Sequence, residues 1–136
     1  MKNFKFISEL VFEAYGKSLK ELFENAALGL SSAIADLDKV EAKEEEEFEM
    51  KGEDLEYTLF NWLNGIITVI EAENKIFSKF EVEDIDKNKV RAKMWGESLD
   101  PSIIKKKISA PDSSNFKVEK TNNGYKAVIG LKADEI

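Results

Sequence analysis

The sequence predicts an α+β domain, two helices packed on a mostly antiparallel sheet, and three observations carry that prediction. Two segments, 18–36 and 54–73, repeat their apolar residues at helical spacing. Several other stretches alternate apolar with charged residues at the period of two that a half-buried strand requires. The resulting order is β, α, β, α, β, β and then at least two more strands, which suits helices laid on hairpins. Residues 1–136 read as one domain, with no repeat and no flexible linker.

The first element is FKFISELVFEAYG, residues 4–16. Phe4, Phe6, Ser8, Leu10, Phe12 and Ala14 share one face, and Lys5, Ile7, Glu9, Val11, Glu13 and Tyr15 share the other. The alternation predicts a single strand of about 11 residues, bent near Ser8 and Glu9. After Gly16 the period changes. Leu19, Leu22, Phe23, Ala26, Ala27, Leu30, Ile34 and Leu37 form a helical stripe, and Ser18 with Glu21 gives the start a capping-box pattern. The helix is expected to end near Asp36.

In the acidic run that follows, Phe48 and Met50 alternate with Glu47, Glu49 and Lys51, which predicts a charged strand near a sheet edge. Its glutamates at 44–47 read as solvated surface, with a cation site as the alternative. The second helix, from Asp54 to Glu73, has a broad apolar face of Leu59, Trp62, Leu63, Ile66, Ile67 and Ile70, flanked by Phe60 and Val69. That breadth predicts burial against a sheet. Gly65 interrupts the helix at about 1 kcal/mol relative to Ala, a cost that close approach of another element would explain.

Residues 77–95 read as a hairpin through DKNK, with Phe80 and Val82 on one arm and Val90, Ala92 and Met94 on the other. Gly96 is expected to begin an irregular connection, GESLDP, and Pro101 a short helical turn. PDSSN, 111–115, reads as a loop because Pro fixes φ while Asp, Ser and Asn form local caps, with contact to a ligand as the alternative. The last unit, FKVEKTNNGYKAVIGLKA, predicts two strands with a tight turn at Asn123–Gly124.

Composition narrows the chemistry. The chain has no cysteine and no histidine, so there is no disulfide, thiolate nucleophile, sulfur-ligated zinc or imidazole base. A net charge of −7 argues against a broad grip on nucleic acid or anionic membrane. No apolar run reaches the length of a membrane span and no cleavable leader is visible, so a cytoplasmic protein is expected. Phosphate loops, dinucleotide turns, HExxH, EF-hand and zinc spacings are all missing. Lys105–Lys107 read as surface, with approach to a phosphate or an acidic partner as the alternative. Trp62 reads as core and Trp95 as half-exposed at a strand end; neither sits in the basic and aromatic alternation of a stacking platform. Asp134 and Glu135 offer oxygens to a hard cation, but such an ion needs several convergent ligands, and a polar tail is the plainer reading.

Four segments in order, AYGKSLKELFENAALGL, GEDLEYTLFNWLN, FSKFEVE and WGESLDP, resemble the archease family over nearly the whole chain. GEDLE with WLN, followed by GE-x-LDP, is the specific combination. The resemblance implies a small α+β protein whose partner is the tRNA-splicing RNA ligase. It implies promotion of that ligase's guanylylation and turnover, through a bound divalent metal such as calcium, by a protein that is not itself an enzyme. The sequence departs from the family pattern where the family carries its site. An Asp/Glu-His-Thr-Ala-Asp segment is shortened by three residues in ISELVFEAYG, leaving Glu9 as the remnant metal ligand. A segment like Ile-Lys-Ala-Val-Thr-Tyr-His is matched by ISAPDSS. Ile108 and Ala110 are kept there, while Ser109, Asp112, Ser113 and Ser114 stand at the lysine, threonine, tyrosine and histidine positions. The family's C-terminal acidic residue best matches Asp134. With Glu9 and Asp134 as the metal residues, binding of a divalent ion is expected to be weak or absent. The alternative function is a non-catalytic interaction module on the same scaffold with its metal site lost; an independent enzyme comes third.

Overall fold

The computed structural model describes residues 3–134. Nine principal elements follow one another: β1 (Phe4–Ser8), β2 (Val11–Gly16), α1 (Leu19–Ile34), β3 (Glu44–Lys51), α2 (Leu55–Glu73), β4 (Lys75–Ile85), β5 (Lys89–Ser98), β6 (Ile108–Thr121) and β7 (Gly124–Ala133). The α+β class holds, and the strands divide between two sheets, β1-β2-β7-β6 and β3-β5-β4, every pair antiparallel. Helix α1 packs on β2 and β4, and α2 on β6 and β3, so each helix joins the two sheets.

The helices start where their caps put them. Ser18 Oγ accepts from the Glu21 amide at 3.2 Å, and Asp54 Oδ1 accepts from the Tyr57 amide at 2.8 Å, each satisfying an otherwise orphan donor. Helix α1 stops at Ile34, because Ala35 turns extended and bridges Ile104. Helix α2 ends through Asn74 in the left-handed conformation. Trp62 is completely buried, with ring contacts to Phe23 of α1, Phe48 of β3 and Phe80 of β4. Its indole N–H donates to the Phe23 carbonyl at 3.1 Å. The predicted edge placement of β3 is observed, and the close approach at Gly65 is made by β3: a Cβ there would lie 2.3 Å from the Phe48 ring.

Four local expectations are corrected. The first strand is two: Ser8 pairs with Val11 across a turn at Glu9–Leu10, and β1 folds back on β2 with Phe6 opposite Phe12. The alternation continues through this turn, so periodicity alone cannot reveal it. The rings of Phe4, Phe6 and Phe12 gather on one face, with centroids 5.2–6.3 Å apart. Second, Gly96 does not start a connection; β5 continues to Ser98, with Gly96 between Glu44 and Phe77. Third, PDSSN lies inside β6 as an irregularity, the register jumping between Pro111 and Phe116. Asp112 Oδ1 accepts from the Ser114 amide and hydroxyl, so the local turn chemistry is present but is absorbed into a strand. Fourth, the last turn is Asn122–Asn123, because Thr121 pairs with Gly124 and neither asparagine adopts positive φ.

On β2, the Tyr15 hydroxyl donates to Glu13 at 2.5 Å and Lys126 of β7 lies 3.1 Å from the same carboxylate. Tyr15 first, then Lys126, hold the Glu13 carboxyl below its ordinary value of 4.5, while the Tyr15 hydroxyl is pushed up to about 12. A depressed carboxyl pKa stabilises the fold above the unfolded value and loses that contribution as pH falls through the folded one. Thermal unfolding from pH 6 down to about pH 3 is therefore expected to show a shallower acid loss for Glu13→Gln than for the parent. Equal slopes would remove Glu13 from the account.

Candidate functional site

The site expected from sequence rests on residues from opposite ends of the chain, and the segment from Pro101 to Lys107 touches both of them. Pro101–Ile103 forms a 3₁₀ turn capped by Asp100, whose Oδ1 accepts from the Ser102 amide at 2.9 Å. The chain then runs extended beside the end of α1. The Ile103 carbonyl accepts from the Asp36 amide at 3.0 Å, and the Lys105 amide donates to the Ile34 carbonyl at 2.7 Å. A helix end carries orphan carbonyls and a partial negative charge, so a lysine-bearing segment is a favourable neighbour.

The three lysine heads reach three different elements. Lys105 Nζ donates to the Ser32 carbonyl in the last turn of α1 at 3.2 Å. Lys106 Nζ lies 3.3 Å from Glu9 Oε2, at the β1–β2 turn. Lys107 Nζ lies 3.8 Å from Asp134 Oδ2, just past β7, and the Asp134 amide donates to the Lys107 carbonyl at 2.8 Å. Glu9 and Asp134, 125 positions apart in the sequence, thus meet consecutive lysines. Glu9 is 85% exposed at its side chain and Asp134 44%, against 31% for Lys106. Glu135 lies outside the described residues.

Lys106, Lys107 and Asp134 stand on the rim of a cleft of about 620 Å³. Its apolar wall comes from the ends of both helices, Ile34, Ile67 and Ile70, with Leu99 just past β5 and Ile108 at the start of β6. Ile104, 43% exposed, completes it. The cleft therefore offers apolar surface beside two lysines and the carboxylates of Asp134 and Glu71.

The serine positions are not part of this arrangement. Ser109 Oγ donates to the Lys132 carbonyl at 3.2 Å, a bond along β6 and β7. Ser113 lines a separate cleft of about 180 Å³ with Tyr57, Phe60 and Phe116. Asp112 is engaged by Ser114, whose hydroxyl and amide hold its carboxyl below the ordinary range. The glutamates of β3 also meet a lysine: Lys75 Nζ is 3.1 Å from both Glu44 and Glu46 and 3.6 Å from Glu73. Burial, then Glu73, pushes the Glu46 carboxyl up, and the Glu44 and Glu46 carboxylates raise Lys75. Among the described residues no three His, Cys, Asp or Glu side chains converge as a metal site, and no helix is long and apolar enough to cross a membrane. Sequence reading left Lys106 and Lys107 as surface. The available signal was their position just before the strand β6. Trp95 is half-buried with Lys79 Nζ 4.6 Å from its ring centroid, which occupies its face within the chain.

Comparison with known proteins gives one consistent result. The model of the Archease protein family matches residues 7–131. Protein archease of Sulfurisphaera tokodaii is 34% identical over 131 residues, covering 92% of this chain and 94% of its own. Protein archease of Archaeoglobus fulgidus is 36% identical over 126 residues, covering 90% of each. Among solved structures, Methanobacterium thermoautotrophicum protein 1598 superimposes with a TM-score of 0.76 at 26% identity, covering 97% of this chain and 99% of that one. An archease from Thermotoga maritima shares the fold, with a TM-score of 0.60 at 18% identity and 90% and 89% coverage.

Proposed function

The chain belongs to the archease family, and from that premise we propose that it is a cytoplasmic, single-domain accessory protein for the tRNA-splicing RNA ligase, promoting guanylylation and turnover without catalysing ligation. The observation that carries the reading is the extent of the match, residues 7–131, which takes in both helices, all of the β3-β5-β4 sheet and all of the other sheet except the start of β1 and the last two residues of β7. Its partner-binding region is the cleft rimmed by Lys106, Lys107 and Asp134, where apolar wall and charged rim are available together. An accessory role suits the side chains present, since histidine and cysteine are missing from the sequence.

One observation favours a second reading, an interaction module on the archease scaffold that no longer activates the ligase. Glu9 and Asp134, the residues left at the family's metal positions, are engaged by lysines. A pull-down against the ligase of the same organism, followed by a multiple-turnover ligation assay, separates the two. Activation predicts association together with more ligated product per ligase molecule. Association without a change in turnover selects the interaction module, and no association with no change in turnover sinks the activator reading.

A further inference from the structure

The divalent metal that the family implies does not fit the residues of this site. A hard cation such as calcium takes six to eight oxygens, and magnesium a near-ideal octahedron. Here Glu9 and Asp134 each meet an ammonium, and no third His, Cys, Asp or Glu converges with them among the described residues. A divalent ion would have to displace those lysines or sit beside like charge.

We propose that Lys106 and Lys107 supply, from the chain itself, the positive charge that a bound ion would bring, so that this end of the fold is assembled without metal. Three consecutive residues reach three elements: Lys105 the last turn of α1, Lys106 the β1–β2 turn, and Lys107 the end of β7. The backbone fixes the arrangement, because the Ile34 carbonyl accepts from Lys105 and the Lys107 carbonyl accepts from Asp134. An ammonium carries one charge and three donors, so it neutralises a carboxylate without a shell of further oxygens. The β1–β2 turn brings a single carboxylate, Glu9, to Lys106, which one lysine can balance. The inference rests on family membership and is independent of the ligase reading, since its readouts need only the purified chain.

The test uses full-length protein stripped with EDTA, melted with and without about 1 mM calcium or magnesium, within the range of weak calcium sites. The parent is expected to melt at the same temperature in all three conditions and to give no one-to-one heat in titration calorimetry. Lys106→Glu places like charges at the β1–β2 turn and is expected to lower the midpoint by roughly 2–5 °C. The exchanged pair Glu9→Lys with Lys106→Glu is expected to recover most of that loss, and Lys120→Glu, at an exposed position of β6 with no ion pair among the described residues, serves as the control. If Lys106→Glu does not fold, Lys107→Gln supplies the same comparison at Asp134, with a smaller drop of roughly 1–3 °C. A calcium-dependent rise in the parent's midpoint, or a stoichiometric heat, overturns the proposal. So does a failure of the exchanged pair to recover stability.

Discussion

Trp62→Ala is expected to be among the most damaging single changes in the protein, costing about 3–5 kcal/mol. The indole is completely buried and is the point where α1, β3 and β4 meet, through Phe23, Phe48 and Phe80. Truncation removes its transfer free energy and leaves a cavity walled by three rings that belong to different elements and cannot collapse together. It also removes the N–H that donates to the Phe23 carbonyl. For a chain of this length the unfolding midpoint should fall by roughly 10–20 °C. Trp62→Phe keeps an aromatic ring but loses that donor, and should cost roughly 1–3 kcal/mol. Circular dichroism melts of both variants check the pair. A Trp62→Ala midpoint within a degree or two of the parent would show that the helix–sheet junction does not depend on this ring.

Gly96→Ala is expected to be comparably severe for a different reason. A Cβ at Gly96 would lie 1.8 Å from the Ile76 carbonyl oxygen and 2.7 Å from its carbon. Both atoms are backbone, so no side chain can swing away. Gly96 sits in the middle of its sheet, opposite Glu44 on one side and Phe77 on the other, next to an irregularity between Phe77 and Lys79. Making room means moving β4 away from β5. A loss of roughly 2–4 kcal/mol follows, in the range of overpacking and broken pairing. Urea unfolding of Gly96→Ala should give a lower midpoint with a similar slope. An unchanged midpoint would mean that β4 shifts at no cost. The WGESLDP segment that helped to place the chain in its family is thus held in part by packing, apart from any chemistry of the site.

How much was legible in the sequence depended on how local the deciding interaction was. Both helices and the cap at Ser18 were readable, because a 3.6-residue stripe and a capping side chain act over one or two turns. The alternating arms of β4 and β5, the edge strand β3 and the core place of Trp62 were readable for the same reason. The archease family was legible as a combination of motifs across the chain. What the sequence left open turned on where distant segments meet. The turn at Glu9–Leu10 keeps the apolar alternation, so only pairing of Phe6 with Phe12 shows that one strand is two. PDSSN has the composition of a loop, and it becomes a bulge because β7 continues past it as a hydrogen-bonding partner. The division into two sheets likewise depends on non-local pairing, β2 with β7 and β3 with β5.

The site shows the same division most clearly. The sequence by itself determined its chemical vocabulary: no histidine, no cysteine, and a run of three lysines in an acidic chain that offers carboxylates such as Glu9 and Asp134. It could not place those lysines, because a charged side chain on an irregular segment carries no periodic signal. Only the tertiary structure decided that Ala35 pairs with Ile104, laying the run along the end of α1 and within reach of Glu9 and Asp134. Residue type set which charges exist. Non-local backbone pairing set which of them meet, since an ion pair depends on separations of a few ångströms that chain distance does not record.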